Sequence, residues 1–353
     1  AVALSRLAEA PLTRASLSDA LPSLLALVTM IKSPADPTDA LVLRLHAKVL
    51  LLLGFCLYDG VLRSHLLSAS LLPTAVSMLE PAEVDPEAEA EPPSPEALQC
   101  AAELRSNVAT VIAIGAQSVA GREQLVASGG LDALTRVLLP AVVTDPTDPK
   151  GGCPSAIDQA AAALVANVTL ALAHVALSAT AAASLATTPA LLPALVSLLV
   201  PTPDGAVPGW SAVRGNACTA VMHIVHQPAG RTAFLAASGA PPPLPTAEEG
   251  EGEGEGEGEG EAEAEVAFGP SAVSVVIDML AAATAAAEGE EPAETDPNLL
   301  ATAADVISQC ALDDAGRDAV VAGGGADALI SLLAASPPDG LLEALASSIA
   351  AVA

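Results

Sequence analysis

The segment from Ala120 to Leu139, AGREQLVASGGLDALTRVLL, decides the fold of this chain. Its second half places Leu131, Leu134 and Leu138 at positions i, i+3 and i+7, the spacing that lines one face of an α-helix. A glycine pair separates this helix from a short amphipathic segment. The sequence here therefore predicts two helices joined by a glycine turn.

Two further copies of this arrangement begin at the tripeptide Ala-Gly-Arg. GRTAFLAASGA starts at Gly230, and GRDAVVAGGGADALISLL starts at Gly316. In all three copies a second glycine follows the first by nine residues, as Gly130 follows Gly121. Recurrence at a fixed offset predicts a repeat protein.

A long alanine-rich helical run precedes each copy. In these runs Asn107, Asn216 and Thr302 each lie 14 residues before the glycine of Ala-Gly-Arg. A weaker copy contains Asn167 and continues into LATTPALLPALVSLL. The repeating unit is therefore a long helix, a short helix, a turn and a medium helix. Because one such unit cannot bury its apolar faces alone, successive units must stack.

These segments resemble the armadillo repeat, in which a short first helix and a glycine turn precede a second helix of the form LPxLLxLL. Its third helix carries a small-residue, Leu and Asn signature. The matching stretches are Gly121 to Leu138, Leu192 to Leu199 and Gly325 to Leu333, with Asn107, Asn167 and Asn216 in the third helices. The resemblance implies an all-α fold, a right-handed α–α superhelix or armadillo-type solenoid, with HEAT-like α-solenoids as near neighbours.

We expect a single solenoid over residues 1–353 with about six three-helix repeats and acidic loop insertions. The expected repeats are approximately 1–58, 59–118, 119–177, 178–228, 229–312 and 313–353. A Glu/Gly-rich insertion, 241–267, interrupts the fifth repeat. It has little apolar surface to bury and repels itself, so we expect it to be disordered. It is either a solvated low-complexity insertion or an acidic tether for a basic partner.

Composition limits the classes of partner. The net charge is −29 and the chain has only 13 Lys and Arg residues. Nucleic acids and anionic membranes are bound by clustered basic residues, so neither is expected as a partner. The stretch 160–200 contains no charged residue and is long enough to span a bilayer. A membrane span is disfavoured because the stretch contains Asn167, His174 and two prolines, and lies in register with the repeat.

The side-chain chemistry predicts no enzyme, no cofactor and no metal. No nucleotide-binding or hydrolase motif is present in the sequence. The nearest set of metal ligands is Cys218, His223 and His226, but Cys218 lies too far round the helix to converge with the histidines. Asp313 and Asp314 are interpreted as a helix start and not as an acid/base pair. The five widely spaced cysteines indicate buried thiols in a reducing compartment. Trp210, the only tryptophan, is interpreted as a core or loop anchor.

The resemblance also implies a binding groove. In armadillo proteins that hold extended peptides, third-helix asparagines bond the peptide backbone along the concave face. The corresponding residues here are Asn107, Asn167 and Asn216, with Thr302 in the fifth repeat and His46 in the first. The alternative is that these asparagines only tie neighbouring repeats together.

One departure from the family concerns the wall of this groove. Nuclear-import adaptors carry tryptophan four residues before each asparagine, whereas this chain has Glu103, Ala163 and Ala212 there. Without an indole wall, recognition of a classical import signal is disfavoured. Glu103 is kept as a candidate groove residue.

The leading hypothesis is a non-enzymatic scaffold that holds a protein partner, with a basic or extended segment, within a larger complex. The alanine-rich, Gly/Glu-repeat style resembles proteins of GC-rich algal genomes, where armadillo proteins are common in ciliary axonemes. We therefore expect a cytoplasmic protein, with a cilium or flagellum as the specific site. One alternative is the substrate-recognition region of a larger ubiquitin-ligase-type enzyme, suggested by the missing initial Met. The other is a transport or chaperone adaptor.

Overall fold

The computed structural model describes residues 17–32, 38–79, 94–142, 159–200, 209–237, 271–288, 296–335 and 337–353. In these residues the backbone forms 17 α-helices, one short 3-10 helix (Leu17–Ala20) and no strand. The predicted disordered insertion, 241–267, lies outside the described residues, as do most of the predicted acidic loops.

The helices are numbered in chain order. They are α1 (Leu21–Ile31), α2 (Ala40–Cys56), α3 (Gly60–Ser68), α4 (Leu71–Leu79), α5 (Pro95–Ala116), α6 (Val119–Ala127), α7 (Gly130–Val142), α8 (Gln159–Val175), α9 (Ala179–Thr187), α10 (Leu191–Ser197), α11 (Trp210–Val225), α12 (Pro228–Ala236), α13 (Ala272–Glu288), α14 (Pro297–Cys310), α15 (Asp314–Ala322), α16 (Gly325–Ala334) and α17 (Asp339–Val352).

These helices form a layered stack in which equivalent helices are neighbours. The third helices are α2, α5, α8, α11, α14 and α17, and each contacts the next one in that order. The second helices α4, α7, α10, α13 and α16 also contact one another in order. One continuous hydrophobic core runs from Leu24 to Val352. The all-α solenoid predicted from the repeats is therefore confirmed.

The recurring glycine of Ala-Gly-Arg lets each first helix pack directly on the end of the preceding third helix. A Cβ atom on Gly230 would overlap the carbonyl oxygen of Ile224. A Cβ atom on Gly121 would overlap the carbonyl oxygen of Gly115 in the same way, and one on Gly316 would overlap that of Cys310. Any side chain at these glycines would push the two helices apart. The motif thus fixes how the chain turns between layers.

The arginine of the same motif caps the third helix. Its guanidinium donates to the carbonyl oxygen six residues earlier, which lies at the end of the third helix where no intrahelical N–H is available. The three bonds are Arg122 to Ala116 (3.1 Å), Arg231 to Val225 (3.5 Å) and Arg317 to Ala311 (3.2 Å). The close glycine and the capping arginine together give the tripeptide its physical role.

A left-handed residue forms the turn between first and second helices. Gly129 has φ 74° and Gly324 has φ 78°, while Ser70 and Ala190 adopt the same region in two other layers. This confirms the predicted glycine turn. In the fifth layer the N–H of Ala272 donates to the carbonyl oxygen of Ala237 at 3.0 Å, so α12 and α13 meet although many residues separate them in the chain.

The structure also places two single residues and one segment that stand out in the sequence. Asp313 starts a helix as expected, since its carboxylate accepts the N–H of Gly316 at 2.9 Å. Trp210 is 3% exposed and lies in the core, which confirms its assignment as a core anchor. The uncharged stretch 160–200 forms most of α8 and all of α9 and α10. Within the described ranges no single helix has the length and apolarity to cross a membrane, and α9 and α10 qualify only as a pair bent by 91°.

Substituting Gly230→Ala tests the close helix contact. We expect it to lower the free energy of unfolding by about 1–3 kcal/mol, because the new methyl group would overlap the Ile224 carbonyl. Gly215→Ala in α11 is the matched control, since no atom lies within 4 Å of its Cβ position. The control should raise stability by about 0.5–1 kcal/mol. Urea unfolding followed by circular dichroism measures both; equal effects of the two substitutions would contradict the proposed contact.

Candidate partner-binding face

Three asparagine side chains link neighbouring third helices. The Nδ2 atom of each donates to a backbone carbonyl of the preceding layer: Asn107 to Ala47 at 3.0 Å, Asn167 to Ser106 at 3.3 Å and Asn216 to Ala166 at 2.8 Å. We call Asn107, Asn167 and Asn216 the asparagine ladder. The ladder sets the register between α2, α5, α8 and α11.

The ladder amides keep unused hydrogen-bonding capacity. Each carboxamide has two N–H donors and one oxygen acceptor. The interlayer bond takes one donor of Asn107 and one of Asn216, whereas Nδ2 of Asn167 also lies 3.3 Å from the hydroxyl oxygen of Ser106. Among the described residues no group donates to the Oδ1 atom of Asn107, Asn167 or Asn216, and all three side chains are only partly buried. Tying the layers together is therefore compatible with a second bond from the same amide to a ligand.

In the first layer the ladder position belongs to Lys48 and not to His46. The acceptor carbonyls Ser106 and Ala166 each directly precede a ladder asparagine, so the acceptor Ala47 identifies Lys48 as the equivalent residue. His46 is 5% exposed, and burial lowers the pKa of its imidazole. The sequence prediction for His46 is thus corrected, because the buried side of α2 carries it.

In the fifth layer the residue at the ladder position, Thr302, bonds within its own helix and not to the preceding layer. The hydroxyl of Thr302 donates to the carbonyl oxygen of Asn298 in its own helix at 2.8 Å. Two other side chains bond a backbone carbonyl of the preceding third helix, and the sequence pattern did not reveal them. The Nδ1 atom of His174 lies 2.9 Å from the carbonyl oxygen of Ala113, and the hydroxyl of Ser348 donates to Ala304 at 2.7 Å.

Glu103 takes part in a pair within the chain. Its carboxylate forms an ion pair with the ammonium group of Lys48, which lies in the preceding layer. A second pair joins the same two helices, with Arg44 Nη2 at 2.7 Å from Glu96 Oε1. We call the exposed surface that the third helices form the third-helix face. In its first two layers Glu96 and Glu103 are each paired with a cation, so Glu103 already has a partner.

The middle layers present small side chains beside the ladder. Ala163 and Ala212 are exposed and lie four residues before Asn167 and Asn216. An extended ligand could approach these ladder amides without meeting a large side chain at either position. Ala163 and Ala212 thus stand where the resemblance to nuclear-import adaptors would place tryptophan.

The candidate metal ligands do not form a site. Cys218 is fully buried, and burial raises the pKa of its thiol to about 12, so it stays protonated at neutral pH. The rings of His223 and His226 lie 6.5 Å apart in an edge-on arrangement. In the part of the chain that the structure describes, no group of three His, Cys, Asp or Glu side chains could hold a metal ion.

Comparison with known proteins gives no match to a protein-family model or to a curated protein. Among solved structures, a designed armadillo repeat protein is 16% identical with a TM-score of 0.57, over 94% of this chain and 100% of that one. Another designed armadillo repeat protein, in complex with the peptide (KR)4, is 15% identical with a TM-score of 0.58, over 94% and 99%. An engineered protein reaches 19% and 0.60 over 99% of this chain and 62% of that one.

The chain folds as an armadillo-like helical repeat solenoid. In this armadillo-like solenoid, the third helices provide a row of amide groups at regular intervals. Balanced ion pairs lie at one end of the row, and the carboxylates of Asp305 and Glu343 lie at the other. The arrangement suits the binding of an elongated ligand along several layers.

Substituting Asn216→Ala tests the structural part of the ladder. We expect the loss of its interlayer bond to lower the free energy of unfolding by about 1 kcal/mol more than Asn298→Ala does. Asn298 is the matched control because its side chain is exposed and the change in residue type is identical. Thermal and urea unfolding of both variants measure the difference. Indistinguishable stabilities would show that the ladder bond does not hold the layers together.

Proposed function

We propose that this solenoid is a non-enzymatic scaffold that binds an extended segment of a protein partner along its third-helix face. The observation that carries the proposal is the asparagine ladder, whose amides each keep an oxygen acceptor after tying the layers together, with a second N–H donor left at Asn107 and Asn216. An extended peptide has unpaired backbone N–H and C=O groups, and a carboxamide can satisfy one of each. Successive ladder amides would then hold successive parts of the peptide.

Two further observations support this function. Ala163 and Ala212 leave the backbone of a ligand free to approach Asn167 and Asn216. One solved structure of similar fold is a designed armadillo repeat protein in complex with the peptide (KR)4. The net charge of −29 favours a basic segment over an acidic one, because an acidic segment would be repelled.

The finer assignments remain predictions from the sequence. A place in a ciliary or axonemal assembly predicts that the partner is an axonemal protein, and affinity purification from the native source would identify it. The ubiquitin-ligase alternative predicts a ligase module in the same reading frame. The adaptor alternative predicts that a lysine-rich peptide loses binding when Asn167 and Asn216 are both replaced by alanine.

Substituting Ala212→Arg tests the proposed face directly. Peptides are first selected from a random displayed library against the unmodified chain, and their affinities are then measured by fluorescence anisotropy. We expect Ala212→Arg to weaken binding of the selected peptides by about tenfold or more, because a long side chain would cover the path beside Asn216.

The matched control is Ala281→Arg on the exposed side of the second helix α13. It adds the same side chain and charge away from the third-helix face, so binding should stay within about twofold. A library that yields no binder, or an equal loss in both variants, would contradict the proposed function. Circular dichroism of both variants confirms that the fold is intact.

A further inference from the structure

A cavity opens between the third helices of the last two layers. It has a volume of about 360 Å³ and lies between α14 and α17, with Met222 of α11 at one side. Its polar lining comes from Thr302, Asp305, Glu343, Ser347 and Ser348. Because Thr302 stands at the ladder position, the cavity lies on the same face as the asparagine ladder.

The burial pattern of α17 gives its register against the other third helices. Its buried residues, Leu341, Leu345, Ser348 and Val352, repeat the spacing of Leu104, Val108, Val111 and Gly115 in α5. Ala344 therefore matches Asn107, and Gly340 matches Glu103. Between the first two layers, an ion pair joins Lys48, at the ladder position of the first layer, to Glu103, which lies four residues before the ladder position of the second layer.

This register explains why the cavity exists. Thr302 and Gly340, both lining the cavity, stand at the two positions that the long side chains of Lys48 and Glu103 occupy in the first pair of layers. A short side chain and a hydrogen atom leave unfilled the space that two long side chains would take. The cavity is thus a site where the chain omits a pair that it makes elsewhere.

The cavity carries negative charge without a fixed cation. Asp305 and Glu343 line it, and no Lys or Arg is among its lining residues. Asp305 Oδ2 lies 3.2 Å from Nε2 of His226, which carries charge only if it is protonated. Glu343 forms no ion pair among the described residues, whereas Glu96 and Glu103 in the first layers are paired with Arg44 and Lys48.

We propose that this cavity binds the side chain of a lysine or arginine from the extended partner segment. The inference rests on the proposed function and adds the chemistry of one anchor. The aliphatic stem of the guest would lie along Met222, Ala301 and Ala344, and its charged end would reach the carboxylates of Asp305 and Glu343. The Lys48–Glu103 pair shows that the third-helix face accommodates this type of contact between layers.

The test uses the peptide (KR)4, labelled with fluorescein, at an ionic strength of about 0.15 M where long-range charge effects are screened. Binding is compared between the unmodified chain, Glu343→Gln and Glu123→Gln. Glu123 is an exposed glutamate of the first helix α6, so its substitution removes the same charge from another surface. We expect Glu343→Gln to weaken binding about tenfold and Glu123→Gln less than about twofold.

A third variant separates a cavity from a general charge effect. Gly340→Met keeps both carboxylates and places a long side chain in the cavity, since no atom lies within 4 Å of the Cβ position of Gly340. We expect this variant to weaken (KR)4 binding about as much as Glu343→Gln does. Equal losses from Glu343→Gln and Glu123→Gln, or unchanged binding to Gly340→Met, would overturn the inference.

A selected peptide without Lys or Arg distinguishes failure of this inference from failure of the proposed function. Such a peptide should bind Glu343→Gln as well as it binds the unmodified chain and should lose binding to Ala212→Arg. If (KR)4 ignores the cavity variants while this peptide still responds to Ala212→Arg, only the cavity inference fails. If neither peptide responds to Ala212→Arg, the proposed function fails as well.

Discussion

The bond from an asparagine amide to a carbonyl of the preceding third helix is the interaction on which the register of the first four third helices depends. A helix carbonyl that already accepts its own intrahelical bond keeps a second lone pair, and the ladder amides use it. Because each bond ends on the residue directly before the previous ladder position, it fixes the register between helices. Shared register then brings equivalent side chains into one row. The third-helix face is the surface that these rows of equivalent side chains form.

The parts of the fold that were predictable from sequence are those in which one residue type is required at a fixed distance. Glycine is required where α12 meets the end of α11, since even a methyl group at Gly230 would overlap a carbonyl oxygen. The next residue, Arg231, reaches back by a fixed number of residues to the carbonyl of Val225. These two constraints tie the first helix to the third, so the position of Asn216 could be counted from the motif. The same counting succeeded for Asn107.

The counting failed in the first layer for a physical reason. Leu62 stands there in place of the motif glycine, three residues after the capping Asp59, and Arg63 reaches the carbonyl of Leu57 at 3.4 Å. Counting 14 residues back from Gly60 gives His46, whereas counting 14 back from Leu62, the equivalent of the motif glycine, gives Lys48. The partner of Glu103 and the cavity at Thr302 were also hidden from the sequence. Both depend on side chains that meet from two different layers, and no repeat offset encodes such a meeting.

A crystal structure of the chain with a selected peptide bound would test most directly whether one amide serves both roles. We predict that Nδ2 of Asn167 and of Asn216 bonds the carbonyl of the preceding third helix, while Oδ1 of each accepts an N–H from the peptide backbone. The peptide should run across the third helices, past Ala163 and Ala212. Asparagine side chains turned away from the preceding layer, or a peptide lying on the first or second helices, would contradict this explanation of the face.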